Sequence, residues 1–181
     1  MLPLSLPEPP PLLRTASNNT EMAALASLPA ELRQRQEQHV VLLRGRRQVL
    51  VLDNGYLRMA FPAAVGMPGW DTPIGGFQVM EKIDNPVWVH PVTGERVEEQ
   101  GPDNPLGSRW IGFHHDCRGR DGYDGDRWIT IEGCTTIGFH GTPHRWTVGR
   151  PVSHGCVRLY NEDVDRLYRH VRLGTRVTVL P

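Results

Sequence analysis

The 181-residue chain is long enough for one domain with a sizeable core and an additional tail, and its 39% hydrophobic and 22% charged content is ordinary for a globular protein. The formal net charge is zero and the arginines are scattered among acids, which argues against nucleic acid as the main partner because phosphate binding needs a basic surface. No run approaches the ~20 apolar residues that span a bilayer, so we expect no integral membrane segment.

The first 38 residues differ in composition from the rest and are predicted to form a tail that is partly disordered and partly helical. Residues 1–20 are rich in Pro and then in Ser and Asn, which is typical of disorder. The segment up to Gln38 favours helix, and Ala30 to Gln38 is polar on most faces, which predicts a surface position. The opening MLPLSLPEPPPLLRT lacks the basic start and the cleavage site of a signal peptide, so the chain is either cytoplasmic or has lost a targeting segment.

Residues 39–181 are predicted to form the folded domain, which begins with a meander of strands. Two aliphatic runs, Val40–Leu43 and Gln48–Leu52, flank a Gly-containing turn and indicate a hairpin. Asn54-Gly55 then predicts a type I′ turn, because both residue types tolerate the positive φ angles that this turn requires. A third strand at Tyr56–Phe61 completes the antiparallel meander.

The middle of the domain is rich in Gly and Pro, and the segment from Asn85 to Asp126 is predicted to be mostly irregular. Irregular segments this long are usually functional, so we expect one wall of a binding groove here. Further short strands are predicted at Phe77–Met80, Trp128–Ile131, Thr136–Phe139 and Thr175–Leu180. A helix capped by Asn161 is predicted from Glu162 to Leu173. The sum of about seven or eight strands and one helix is a mainly β domain rather than a β-α-β alternation.

The cysteine count leaves two interpretations open. An odd number in an exported protein suggests one bridge and one free reactive thiol, with Cys117 and Cys134 as the natural pair and Cys156 free. The alternative is three reduced cysteines, two of them simply buried.

Zinc is disfavoured because neither Cys-x-x-Cys nor His-Glu-x-x-His occurs. The aspartates within 121–126 lack the twelve-residue calcium pattern ending in Glu, so a solvated turn is expected there.

The stretch with the clearest chemistry is Ser153-His154-Gly155-Cys156-Val157-Arg158, with Phe139-His140-Gly141-Thr142 upstream. A thiol is a poor nucleophile until an imidazole takes its proton, so cysteine near histidine is typical of a thiolate nucleophile. The preceding glycine allows a tight backbone turn and leaves room for substrate, and backbone N–H groups at such a turn can stabilise an oxyanion. An isolated cysteine is more often a small buried hydrophobe, so the neighbours decide between the two interpretations.

Several separated motifs together resemble the L,D-transpeptidase (YkuD-type) catalytic domain. Its signature joins a His-Gly turn, here His140-Gly141, to Ser/Thr-His-Gly-Cys, here Ser153–Cys156. Thr72–Phe77 is similar to the family's Thr-Pro-x-Gly-x-Phe segment, Asn104–Gly107 to its Asn-Pro-Leu-Gly, and Gly174–Val177 to its closing strand. The resemblance covers about residues 39–181 and implies a β-sandwich or barrel of mixed sheets with one helix after the cysteine.

The resemblance implies a catalytic role for three residues. Cys156 would attack the peptide carbonyl, and His140 would be the general base that takes the thiol proton and returns it to the leaving amine. The backbone carbonyl of Gly141 would orient that imidazole, since a base of this kind is usually held by a third group.

Four further residues are implied in oxyanion stabilisation or substrate binding. Backbone N–H groups around Gly155 and Cys156 would form the oxyanion hole, with Ser153 and His154 beside the substrate. Arg158 would bind a carboxylate of the stem peptide, because guanidinium suits bidentate carboxylate recognition. The alternative for Arg158 is an ordinary surface salt bridge.

The implied reaction is acyl transfer on peptidoglycan stem peptides on the periplasmic or cell-wall side. D-alanine is released from a tetrapeptide stem, and an amine of another stem or of a protein resolves the thioester; no cofactor or metal is required. The family is acylated by carbapenems, so the same sensitivity is expected.

Alternative functions are an L,D-carboxypeptidase, with water as acceptor, and an inactive wall-binding module. A papain-like peptidase is disfavoured because that fold places the cysteine before the histidine in the chain.

Overall fold

The computed structural model describes residues 19–90 and 93–181, so the disorder predicted at the start of the chain lies almost wholly outside the described residues. The helices within that part are α1 (Asn19–Ser27), α2 (Ala30–Gln34) and α3 (Asn161–His170). The strands are β1 (His39–Leu43), β2 (Gln48–Asp53), β3 (Tyr56–Pro62), β4 (Val65–Gly66), β5 (Gly75–Gln78), β6 (Glu81–Asp84), β7 (Trp88–Val89), β8 (Arg96–Val97), β9 (Arg109–Asp116), β10 (Arg120–Tyr123), β11 (Trp128–Ile131), β12 (Thr135–His140), β13 (Pro151–Ser153), β14 (Val157–Arg158) and β15 (Arg176–Leu180).

Two mixed sheets pack face to face and confirm the predicted mainly β architecture. The first has the order β3-β2-β1-β15-β5, in which β1 and β15 run parallel and the other neighbours antiparallel. The second has the order β14-β12-β9-β6, in which β12 and β14 run parallel. α3 follows β14 and buries Val164 and Leu167 in the core between the sheets.

The strands β1 and β2 are buried on both faces, which explains why their sequences are continuous aliphatic runs rather than alternating patterns. Val40 and Leu42 point into the core between the sheets, where Phe139 from the second sheet also lies. The side chains that alternate with them, including Val41 and Leu43, face a second apolar cluster on the outer side of the first sheet.

The helices α1 and α2 cover that outer side. Ala24, Leu28 and Leu32 are buried there against the aliphatic residues of the first sheet. The surface position predicted for Ala30–Gln38 is confirmed except at Leu32, which is 4% exposed and anchors the short helix. The sequence pattern did not indicate this contact, since a five-residue helix presents too few positions for an apolar stripe to be recognised.

The meander and its turn are confirmed. Asn54 and Gly55 both have positive φ angles, 51° and 80°, as the two central positions of a type I′ turn require. β2 pairs with β3 from Gln48 opposite Pro62 to Asp53 opposite Tyr56.

The prediction that Asn85–Asp126 is mostly irregular is wrong for its second half. β9 is an eight-residue strand that pairs with β6 on one side and β12 on the other, inside the second sheet. β10 and β11 then form a hairpin. The sequence of β9 combines Arg, Gly, two His and Asp with its apolar residues, so composition did not indicate a sheet strand.

The helix after the cysteine motif is confirmed but starts and ends earlier than predicted. α3 spans Asn161–His170, and its N-cap residue is Tyr160, which makes no side-chain cap hydrogen bond. The predicted capping role of Asn161 is wrong, because its Oδ1 instead accepts a hydrogen bond from the backbone N–H of Ser108 at 3.2 Å. Across the described ranges, no helix combines the length and apolarity that crossing a membrane demands.

Candidate active site

The two predicted catalytic segments meet because β12 and β14 are parallel neighbours. Phe139 pairs with Val157 and His140 with Arg158, and the N–H of Leu159 donates to the carbonyl of His140 at 2.9 Å. Cys156 immediately precedes β14, so the sheet brings the cysteine turn to the end of the strand that carries His140. This pairing joins residues that are 18 positions apart in sequence.

His140 is buried, and its ring orientation is fixed from two sides. Its Nδ1 lies 2.5 Å from the carbonyl oxygen of Gly141; because a carbonyl only accepts, Nδ1 carries the proton and Nε2 is the basic nitrogen. The Trp110 ring stacks on the imidazole at 5.9 Å, and Trp110 Nε1 donates to Glu81 Oε1 at 2.6 Å. Glu81 was not among the predicted site residues, and no local sequence signal marks it.

The electrostatic surroundings keep the imidazole of His140 neutral at pH 7. Burial lowers its pKa to about 4, and the Arg158 guanidinium acts in the same direction. The backbone carbonyls of Gly141 and Pro105 oppose this effect by accepting hydrogen bonds from the charged form. A neutral imidazole can accept a proton, which is the state that a general base needs.

Cys156 is the free cysteine among the described residues and is partly buried. Its Sγ lies 3.6 Å from the carbonyl of Thr136 on β12, to which the thiol can donate. Burial raises the thiol pKa above its usual value, while a backbone hydrogen bond from Gly138 and the charges of Arg158 and Arg120 lower it in part. At neutral pH the site therefore holds a thiol beside a neutral imidazole.

The turn before Cys156 is held by hydrogen bonds within the loop and to Thr72. Ser153 Oγ donates to the carbonyl of Cys156 at 2.6 Å and accepts from the N–H of Gly155 at 3.1 Å. Gly155 has a φ of 123°, a conformation that other residues rarely adopt. Its carbonyl accepts from Thr72 Oγ1 at 2.8 Å, and Thr72 in turn accepts from Gly66 N–H at 3.1 Å. Ser153 and Thr72 thus fix the shape of the cysteine loop.

His154 faces the turn of the β10–β11 hairpin and the Trp70 ring. Its side chain is 46% exposed, its Nε2 is 3.9 Å from Asp124 Oδ2, and its ring meets the edge of Trp70 at 4.8 Å. Burial lowers its pKa, the charges of Arg158 and Arg120 lower it further, and Asp124 raises it.

Arg158 is partly buried, and burial lowers its pKa. Its backbone pairs with Ala64, from which it accepts at 2.8 Å and to which it donates at 3.0 Å. Within residues 19–90 and 93–181 its guanidinium forms no ion pair with a carboxylate, and its role in binding stays a prediction.

The Asn104–Gly107 motif packs behind the His140 turn. Asn104 is buried and its Nδ2 donates to the carbonyl of Pro86 at 2.9 Å. Gly107 has a φ of 64°, and a Cβ there would collide with the backbone of Gly141 and with Asn161 Oδ1. This close packing supports the Gly141 turn, whose carbonyl orients the imidazole. It explains why a glycine is needed at position 107, which the sequence alone did not indicate.

A disulfide joins Cys117 and Cys134. Of the two interpretations of the cysteines, the one with a single bridge is therefore confirmed. The bridge links the end of β9 to the start of β12 and closes the base of the β10–β11 hairpin. His115 lies close to both sulfur atoms, but bridged sulfurs are not the thiolates that zinc binds. In the hairpin turn, Asp124 Oδ1 accepts from two backbone N–H groups at 2.9 Å, as expected for a solvated turn.

Known proteins match this domain over most of its length. The family model of the L,D-transpeptidase catalytic domain (YkuD) matches residues 37–179. YqjB of Bacillus subtilis, whose name places it among the L,D-transpeptidases, is 35% identical over 140 residues, which cover 77% of this chain and 69% of YqjB. ErfK/SrfK of Salmonella typhimurium, named in the same way, is 33% identical over 132 residues, 66% of this chain and 36% of that protein.

A solved structure has the same fold. The L,D-transpeptidase LdtMt1 in complex with imipenem superposes with a TM-score of 0.53 at 21% identity, over 79% of this chain and 58% of that chain. The present chain thus spans little more than half of that structure and about a third of ErfK/SrfK. With the matched motifs on two adjoining strand ends of a mixed β-sandwich, the chain belongs to the L,D-transpeptidase (YkuD) catalytic-domain family.

Proposed function

We propose that this domain is a peptidoglycan L,D-transpeptidase that transfers the acyl group of a tetrapeptide stem through a thioester on Cys156. The observation that carries the proposal is the parallel pairing of β12 with β14, which places the cysteine turn beside an imidazole whose tautomer is fixed by Gly141. A purely structural or wall-binding domain has no need of this nucleophile and base pair.

In the proposed acylation step, His140 removes the thiol proton as Cys156 Sγ attacks the carbonyl carbon between the third stem residue and D-alanine. The C–N bond then breaks, and the same imidazole returns the proton to the leaving amine, which departs as D-alanine. The pKa directions support this order of events. Because the thiol pKa is raised and the His140 pKa is about 4, proton transfer accompanies attack rather than preceding it.

The neighbouring groups support the charges that develop in this step. The N–H of Gly155 is engaged by Ser153 Oγ, so the oxyanion role falls mainly on the backbone N–H of Cys156. Arg158, which lacks a carboxylate partner among the described residues, would bind a carboxylate of the stem peptide. His154 would lie beside the substrate, as the family motif implies.

The acceptor in the second step is proposed to be an amine of a second stem or of a protein, which attacks the thioester and forms the new amide. Hydrolysis by water instead would make the enzyme an L,D-carboxypeptidase. We place the reaction on the periplasmic or cell-wall side, where its substrate lies. The Cys117–Cys134 bridge is consistent with that location, because disulfides persist in oxidising compartments.

The test is release of D-alanine from disaccharide-tetrapeptide, with the products separated into cross-linked dimer and tripeptide. Wild-type protein should release D-alanine, and Cys156→Ala should reduce the rate by at least about a thousandfold, because loss of a covalent nucleophile leaves little residual catalysis. Dimer formation would identify a transpeptidase, whereas tripeptide alone would identify a carboxypeptidase.

Imipenem provides an independent readout. Intact and peptide-level mass spectrometry should locate one acyl adduct on Cys156, and Cys156→Ala should form none. Undiminished D-alanine release by Cys156→Ala, or an adduct on Cys117 or Cys134, would contradict the proposed nucleophile.

A further inference from the structure

Arg120, at the start of β10, contacts the loop that carries Cys156. Its Nη1 donates to the carbonyl of His154 at 2.6 Å, and its Nη2 donates to the carbonyl of Asp71 at 2.5 Å. One guanidinium therefore joins the cysteine loop to the loop that leads into β5. The side chain is only 14% exposed although it belongs to a peripheral hairpin.

A buried carboxylate fixes the direction of this guanidinium. Asp116 Oδ2 lies 3.7 Å from Arg120 Nε, and the Asp116 side chain is 2% exposed. Arg118 donates to both oxygens of the same carboxylate at 3.0 Å, and these hydrogen bonds keep the pKa of Asp116 far below its usual range. The carboxylate is thus charged at neutral pH and holds Arg120 from the side opposite the cysteine loop.

The backbone at Gly155 is shaped to admit Arg120. A Cβ on Gly155 would collide with Arg120 Nη1 and would lie 3.2 Å from Ile137 Cδ1. The glycine before the cysteine therefore has a second physical role besides its φ of 123°, because it lets the guanidinium reach the loop backbone. At this position Arg120 also lowers the pKa of the Cys156 thiol, as Arg158 does.

We propose that Arg120 is a positioning residue, which clamps the Cys156 loop to the β10–β11 hairpin and holds a positive charge against that loop. The inference rests on the proposed function, because it takes Cys156 to be the nucleophile. A guanidinium suits the task because its planar fork donates to two carbonyls while its charge pairs with a carboxylate, whereas a lysine ammonium is a point charge on a flexible stem.

Three variants separate the geometric and the electrostatic contributions. Arg120→Gln removes both, Arg120→Lys keeps the charge but not the fork, and Arg127→Gln is the control. Arg127 belongs to the same hairpin and is exposed. Thermal unfolding is measured first, so that the rates are compared only at temperatures where each variant is folded.

Two rates are then measured for each protein: alkylation of Cys156 by iodoacetamide as a function of pH, and acylation by imipenem. Arg120→Gln should shift the alkylation midpoint to higher pH and slow acylation roughly tenfold or more, because a small displacement of a reacting group is costly. Arg120→Lys should keep the midpoint near that of wild type yet slow acylation. Arg127→Gln should change neither rate by more than about twofold, since substitutions of exposed residues away from such contacts have small effects.

Wild-type behaviour of Arg120→Gln in both measurements would overturn the inference, as would an equal loss in Arg127→Gln. Should Arg120→Gln fail to fold, Arg120→Lys alone decides: an acylation rate equal to that of wild type would reject the clamp. The alkylation profile needs no turnover. A protein that released no D-alanine but showed the Arg120-dependent midpoint would therefore reject the proposed function while supporting the positioning role.

Discussion

At the scale of single residues, two imidazoles lie near Cys156 but in different environments. His140 is buried, stacked on Trp110 and fixed by the carbonyl of Gly141, whereas His154 is half exposed and faces Asp124. Only an imidazole of defined tautomer, held at the strand end beside the cysteine turn, fits the requirements of the general base.

His140→Ala is therefore expected to be far more damaging than His154→Ala. Loss of a positioned general base typically costs about a hundredfold to ten-thousandfold in rate, so kcat/KM for D-alanine release should fall in that range for His140→Ala. His154→Ala should retain most of the catalytic rate and alter KM instead. Circular dichroism of both variants controls for folding. The opposite ranking of the two variants would reassign the base.

At the scale of elements, the β10–β11 hairpin acts as a wall of the site rather than as a free loop. The Cys117–Cys134 bridge closes its base, Arg120 contacts the cysteine loop, and Asp124 in its turn faces His154. The hairpin also covers Trp70, whose Nε1 lies 3.3 Å from the carbonyl of Tyr123. The groove wall predicted between Asn85 and Asp126 stays a prediction, and the hairpin overlaps that segment only from Arg120 onward.

Removing the bridge should weaken both stability and reactivity. The two cysteines are separated by 17 positions, and closing a loop of about that length stabilises a fold by roughly 3 kcal/mol. The double variant Cys117→Ser/Cys134→Ser should lose about this much free energy of unfolding in urea, and it should also react more slowly with imipenem because Arg120 is less well placed. Wild-type protein treated with dithiothreitol should match the variant. Unchanged unfolding and acylation in both would show that the bridge is dispensable.

At the scale of the whole molecule, the first sheet is covered on both sides. The second sheet and α3 cover its inner side, and α1 and α2 cover its outer side. The helices therefore stabilise the strands far from the active site, and the family-matched part of the chain depends on residues that precede it.

Leu32→Ala tests that dependence. Leu32 is 4% exposed, and truncating a buried leucine typically costs about 2–5 kcal/mol of unfolding free energy. Met22→Ala on α1 is the matched control, because Met22 is 57% exposed and should stay within about 0.5 kcal/mol of wild type. The imipenem acylation rate of folded Leu32→Ala should equal that of wild type. Equal stability of the two variants would show that the helices do not hold the sheet.

The sequence by itself determined the features that depend on residues close to one another in the chain. The Asn54-Gly55 turn, the meander around it and the helix after the cysteine follow from backbone preferences and short-range periodicity. The sequence marked Cys156 beside histidines, and the resemblance to the L,D-transpeptidase family implied His140 as the base; both roles remain proposals.

Tertiary structure alone decided the features that depend on contacts distant in sequence. β9 becomes a strand because β6 and β12 pair with both of its edges, and Leu32 is buried because the outer side of the first sheet needs a cover. Arg120 and Glu81 reach the site through pairings that no local pattern encodes. The physical reason is the same in each case: hydrogen bonding and burial are satisfied by whichever segment the sheet brings alongside, and a linear sequence does not show which segment that is.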